Sequence, residues 1–194
     1  MGEFIIDLMN EKEDPRINLL FTPNADGQVV GWPAKLEDRV TGFAYAELGP
    51  YWANKETPFL FASFSEAKFI EAVALVRSEG VNEEANEAFK AAIEASMQWV
   101  GVEEEAIAFY IEELNLADTK EAAIKQIIEE KYVSLFNHPE AFNDWRRTGY
   151  PELTPTTDNF ADMPRRFPYP QTEVDFNVNT PKENGLTQRV WWDS

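Results

Sequence analysis

Residues 131–170 read KYVSLFNHPEAFNDWRRTGYPELTPTTDNFADMPRRFPYP, and the order of aromatic, arginine and proline residues in this stretch decides how the rest of the chain is read. Asn137 or His138 is placed to cap a short helix, with Pro139 in a first turn that tolerates a missing N–H. Phe142 and Trp145 form an apolar pair one turn apart. Arg146 and Arg147 fall in the last turn, facing the negative end of the helix dipole. Gly149 then supplies a left-handed position, and Pro151 cannot continue the helix.

Upstream of this stretch the apolar residues recur at helical spacing. Ser63-Phe64-Ser65-Glu66 has capping-box spacing and predicts a helix ending at Gly80, with Ala67, Ile70, Val73 and Ala74 on its apolar face. Asn82 caps a second helix, whose Ala85, Phe89, Ala92, Ile93, Ser96, Met97 and Val100 share one face before Gly101. Glu103–Glu105 begin a third helix carrying Ile107, Tyr110, Ile111 and Leu114. Asp118 with Glu121 predicts the start of a fourth, with Ile124, Ile127, Ile128, Leu135 and Phe136 inward. These make two helical pairs, over 63–100 and 103–137, near the ~34-residue period of tetratricopeptide repeats.

The flanks differ in texture. Over residues 1–60 a short helix with Phe4, Ile5, Leu8 and Met9 precedes a predicted β-hairpin, in which Leu19-Leu20-Phe21 and Val29-Val30 flank the Asp26-Gly27 turn. From Thr148 to the end the chain is rich in proline and aromatic residues without sustained period. The fold class expected is mainly α: tetratricopeptide-like hairpins, long irregular loops and one small β-hairpin. The whole of 1–194 reads as a single unit with three regions, 1–60, 63–147 and 148–194.

Four pieces of the sequence carry a resemblance. They are Asp14-Pro15-Arg16, Trp145-Arg146-Arg147-Thr148-Gly149-Tyr150-Pro151, Pro164-Arg165-Arg166-Phe167-Pro168-Tyr169-Pro170 and Val190-Trp191-Trp192-Asp193. In this order they resemble the C-terminal part of the SusD/RagB family of bacterial outer-membrane lipoproteins. The resemblance implies a helical scaffold with irregular segments folded over it. It further implies non-enzymatic capture of a glycan or other nutrient oligomer at the cell surface, and delivery to a SusC-like, TonB-dependent transporter. Family members carry a signal peptide and a lipidated cysteine, so the chain reads as a fragment of the lipoprotein, attached to the outer membrane only through an anchor it lacks. The resemblance transfers no ligand contact to a numbered position.

Composition narrows the functional classes. With 35 Asp and Glu against 17 Lys and Arg, the net charge of −18 argues against nucleic-acid binding, which needs a concentrated basic face. There is no cysteine, hence no disulfide, thiolate metal site or cysteine nucleophile. His138 is the one histidine, without the partners of a metal site or a catalytic base, and its expected role is structural. A two-carboxylate glycosidase finds candidates in any acidic chain, and Glu83, Glu84 and Glu103–Glu105 are explained by their first-turn positions. Asn24, Asp26 and Gly27 lack the closing glutamate of a calcium loop. No phosphate loop or dinucleotide fingerprint occurs. No enzyme activity, metal or cofactor is expected.

Aromatic residues make up 13% of the chain, and several lie in loops with Gly, Pro and Asn. Trp32, Tyr51 and Trp52 are the candidate ligand contacts, because a flat ring covers the apolar face of a sugar while polar neighbours take its hydroxyls. Packing under long loops is the competing reading for each. Trp145, Arg146, Arg147, Gly149, Tyr150, Pro151, Arg165, Arg166 and Tyr169 are read as structural, the arginines tying the tail to carboxylates on the helices. Trp191 and Trp192 cannot face the same side of an extended segment. An alternative function is a helical-repeat module that holds a protein segment on a face containing Phe89.

Overall fold

The computed structural model describes residues 2–58, 60–155, 162–181 and 185–193. Among them are eight α-helices, one turn of 3-10 helix at Leu36–Asp38, and two isolated β-bridges in place of any extended sheet. The mainly helical class expected from the sequence is the class observed.

The helical core follows from its caps. α3 (Phe64–Glu79) begins where the Ser63 hydroxyl accepts from the Glu66 N–H at 2.9 Å, and it stops at Gly80 with φ 87°. α4 (Glu83–Val100) begins where Asn82 Oδ1 accepts from the Ala85 N–H at 2.8 Å, and it closes on left-handed Gly101. Each cap satisfies a backbone donor that the first turn leaves unpaired. α5 spans Glu104–Glu112 and α6 Lys120–Ser134. The start of α6 differs from expectation: Thr119, in extended conformation, is the cap and accepts from Ala122, so the cap lies one residue after Asp118 and the helix begins at Lys120.

α3 is the middle helix of this group. It runs antiparallel to α4, with Ser65 Oγ donating to the Ala92 carbonyl and Phe69 edge-on to Phe89. It also runs antiparallel to α6, with Ser65 opposite Ser134 and Glu66 opposite Lys131. Two neighbours shift its buried stripe to Phe69, Ala72, Val73 and Val76, whereas Ala67, Ile70 and Ala74 of the expected face are exposed. Ala85, Ala88 and Ala92 on α4 are buried and let the helices approach closely. Phe89 is fully buried between them, so it is core and not part of any partner-binding face.

A second core joins α1 (Glu3–Glu11) and α2 (Ile17–Leu20) to the end of α6 through Ile6, Met9, Leu20, Phe21 and Val133. Here the expected hairpin is replaced. The Asp26-Gly27 turn forms, with Gly27 at φ 77° and its N–H donating to the Asn24 carbonyl. Leu19 and Leu20, however, are helical, and Phe21 bridges to Leu48 instead of to Val29 or Val30. The cause is Arg16: its backbone N–H and side chain both bind Asp14, which coils the chain into α2 before the turn.

Gly49 makes this crossing possible. A Cβ at Gly49 would lie 2.6 Å from both the Leu19 carbonyl oxygen and the Phe21 nitrogen. Gly49→Ala is therefore expected to cost about 3 kcal/mol, the upper end of the overpacking range. Urea unfolding checks this, with Gly185→Ala, which meets nothing within 4 Å, as the near-neutral control.

The motif-bearing segment forms α7 (Glu140–Thr148), with Phe142 stacked on Trp145 and left-handed Gly149 closing it. No side chain of Asn137 occupies the cap. Pro139 holds that position, while His138 Nδ1 accepts from the Glu140 N–H at 3.3 Å. In the tail, a short exposed helix, α8 (Gln171–Phe176), stands where the sequence predicts irregular chain.

The arginines hold the tail in a way the sequence did not indicate. Arg165 pairs with Asp193, itself in the tail, and lies over the Trp145 ring. Arg146 donates to the Arg165 carbonyl and sits between Phe142 and Trp192. Arg147 pairs with Asp144 on its own helix, and Arg166 lies over Tyr169. Trp192 thus packs while Trp191 is 94% exposed. Tyr150 donates to Glu121 on α6, and the Tyr150–Pro151 bond is cis.

Candidate functional site

The three aromatic residues singled out from the sequence fall into two separate places. Trp32 stands on an open shelf beside α1. Its carbonyl accepts from the Glu3 N–H at 3.0 Å, and Glu3 Oε2 in turn accepts from the Ala34 N–H, so the loop bearing the indole is fixed to the first turn of α1. Gly31 allows this approach, since a Cβ there would meet the Glu3 backbone at 2.4 Å.

Two residues that sequence reasoning did not single out complete the shelf. Tyr45 packs against Trp32 with ring centroids 4.8 Å apart, and Phe43 packs against Tyr45 at the same distance. The alternation in Phe43-Ala44-Tyr45 is the available signal, because residues two apart in extended chain share a side. Tyr45 Oη accepts from the Val40 N–H at 2.8 Å. Arg39 lies 5.1 Å from the Trp32 ring centre and is anchored by donating to the Pro33 carbonyl.

This leaves Trp32 44% and Phe43 42% exposed. Beside them is an open groove of about 460 Å³ lined also by Thr22, Asn24 and Glu47. The arrangement offers broad apolar faces with a few oxygen and amide groups at the edge.

Tyr51 and Trp52 lie elsewhere, between α2, α4 and the end of α6. Their rings meet edge to face at 5.0 Å, and Trp52 is also edge-on to Phe136 at 5.9 Å. Tyr51 Oη accepts from the Trp99 indole N–H. Both residues are half-buried, and they pack against the second core while lining a small cavity beneath it.

The strongest charged cluster is structural in character. Arg16, wholly buried, donates to both Asp14 oxygens, to Ser96 Oγ and to Glu130 Oε2. Lys12 and Tyr110 both donate to Glu130 Oε1. Burial alone would raise the Glu130 carboxyl, but Lys12 and Arg16 with these hydrogen bonds hold it below the usual carboxylate range. Burial, followed by the Glu130 charge, pushes the Tyr110 phenol well above its ordinary value. Every group in the cluster is engaged, so it offers no open acid and base pair. Among the described residues, no cluster of His, Asp and Glu is arranged to hold a metal ion, and no helix is long and apolar enough to cross a membrane.

Residues 1–170 match a SusD-like family model described as "Starch-binding associating with outer membrane". Among solved structures, one described as a chitin-binding protein is 27% identical with a TM-score of 0.79, covering 100% of this chain and 50% of that one. A SusD homologue from Bacteroides fragilis is 22% identical with a TM-score of 0.80, covering 98% of this chain and 50% of that one. A further SusD homologue from Bacteroides vulgatus is 23% identical with a TM-score of 0.80, covering 100% and 49%. The chain thus spans about half the length of these structures. No curated protein matches it significantly.

Proposed function

We propose that this chain, which belongs to the SusD-like family, binds carbohydrate without transforming it, as part of a surface lipoprotein that hands glycan to a SusC-like, TonB-dependent outer-membrane transporter. The observation that carries the binding reading is the exposed shelf of Trp32, Phe43 and Tyr45 beside a polar-edged groove. Aromatic faces held in place by backbone hydrogen bonds lose little entropy on meeting a rigid sugar ring. In the Asp14–Arg16–Glu130–Lys12 cluster each carboxylate is paired with a cation. Membership of a family described as associating with the outer membrane supports the transporter partner and the outer-membrane location in this reading.

Native affinity electrophoresis through gels containing plant, fungal and host polysaccharides tests the reading. Chitin derivatives belong on the panel, given the chitin-binding structural relative. The expected result is selective retardation by at least one glycan, and migration unchanged on every gel would contradict it. Absence of released reducing ends after long incubation with the retarding glycan is the accompanying expectation for a protein that binds and does not cleave.

A further inference from the structure

The groove beside the shelf has four polar side chains in its wall, Thr22, Asn24, Tyr45 and Glu47. Two are tied to the backbone. Thr22 Oγ1 donates to the Leu48 carbonyl at 3.1 Å, and Tyr45 Oη accepts from the Val40 N–H at 2.8 Å. The other two keep polar atoms for a ligand. Asn24 Oδ1 accepts from the Asp26 and Gln28 N–H groups at 3.0 and 2.9 Å, which identifies the oxygen end of the amide and leaves its NH2 group without a partner among the described residues. The Glu47 carboxylate likewise has no hydrogen bond or ion pair among the described residues.

Local structure puts Glu47 on the side of the shelf. Residues two apart in extended chain share a side, so Glu47 continues the alternation of Phe43 and Tyr45, while Ala46 between them is buried. The backbone is held on both strands of the crossing: the Ala46 N–H donates to the Val30 carbonyl at 2.8 Å, and the Glu47 carbonyl accepts from the Thr22 N–H at 3.0 Å. An amide NH2 donates to a hydroxyl oxygen, and a carboxylate accepts from O–H groups in the stronger, charge-assisted kind of hydrogen bond. Together they suit adjacent hydroxyls of a sugar lying on the rings. Glu47 is also the one charged residue among the described residues that line the groove. Arg39 lies over the Trp32 ring outside that wall, donating to the Pro33 and Ala34 carbonyls. A carboxylate on the sugar would therefore meet like charge in the groove, a repulsion that salt screens.

We propose that Asn24 and Glu47 read the hydroxyls of a sugar on the shelf and that Glu47 discriminates against uronate-bearing glycans, a specificity that rests on the carbohydrate-binding reading. The test titrates hexamers of α- and β-linked hexoses by calorimetry, each beside its form oxidised to the uronate at C6. At low salt the uncharged form is expected to bind at least about fivefold tighter, the effect of one unit of like charge near 4 Å in a water-like medium, and the gap narrows as salt is added. Glu47→Gln, close to the same shape without the charge, closes the gap. Asn24→Asp keeps the oxygen that holds the turn and replaces the donor by an acceptor, so it weakens binding of the uncharged form by about fivefold, the loss of one hydrogen bond. Equal or tighter binding of the uronate form, a gap that survives in Glu47→Gln, or full affinity in Asn24→Asp overturns the assignment while leaving carbohydrate binding intact. If neither form of any glycan binds, both readings fall. The salt dependence of the wild type decides the matter even where a variant does not fold: a gap that salt leaves unchanged is not made by the Glu47 charge.

Discussion

Arg16→Ala is expected to destabilise the protein by about 3–5 kcal/mol, the cost of stranding buried charge when one partner of an ion pair is removed. The side chain is wholly enclosed and satisfies Asp14, Glu130 and Ser96 together. It also fixes α2 and hence the crossing of Phe21 over Leu48. With a urea m-value of about 2 kcal/mol/M, the unfolding midpoint falls by roughly 2 M. A change below about 1 kcal/mol would show that the cluster is dispensable.

The same cluster sets the acid response. Against the effect of its own burial, Glu130 is held below the usual carboxylate range by Lys12 and Arg16. A carboxyl depressed in the folded state contributes stability that is full above its unfolded value, about 4.3, and is lost as pH falls through the folded value. Unfolding below about pH 4 is therefore expected to be steeper in wild type than in Glu130→Gln, measured by urea midpoints across the pH range.

Trp32→Ala is expected to weaken glycan binding by at least about thirtyfold, corresponding to the roughly 2 kcal/mol of a central aromatic contact. The indole is 44% exposed and its backbone, not its ring, makes the bond to Glu3. Its removal should accordingly leave the unfolding midpoint within about 0.5 kcal/mol of wild type. Trp191→Ala, at a 94% exposed position in the tail, should leave binding intact. A Trp32→Ala protein that is folded and still binds with wild-type affinity would exclude the shelf.

The scaffold was largely legible because its signals are local. Ser63, Asn82, Gly80, Gly101 and Gly149 each do what their chemistry requires within one turn. The failures came where a distant contact decided the outcome. Ile70 lies on the face its spacing favours but outside the stripe that α4 and α6 together bury. Leu19 and Leu20 have strand-like composition, yet the burial of Arg16 coils them into α2. Asp14-Pro15-Arg16 was recognisable as a motif, but its partner Glu130 lies 114 residues away from Arg16.

The candidate sites show the same division. Trp32 could be chosen for its loop context, but Phe43 and Tyr45 join it only through folding of the 43–48 segment past α2. Tyr51 and Trp52, chosen together with Trp32, line a different cavity. No local pattern separates an exposed indole from a half-buried one.

Carbohydrate is expected to meet the shelf of Trp32, Phe43 and Tyr45. That contact is tested most directly by NMR with labelled aromatic side chains, titrating in an oligosaccharide of the glycan that retards the protein. Saturable shifts are expected in the rings of these three residues, with the exposed rings of Phe109 and Phe176 unmoved. Saturable binding that leaves all three shelf rings unshifted would contradict it.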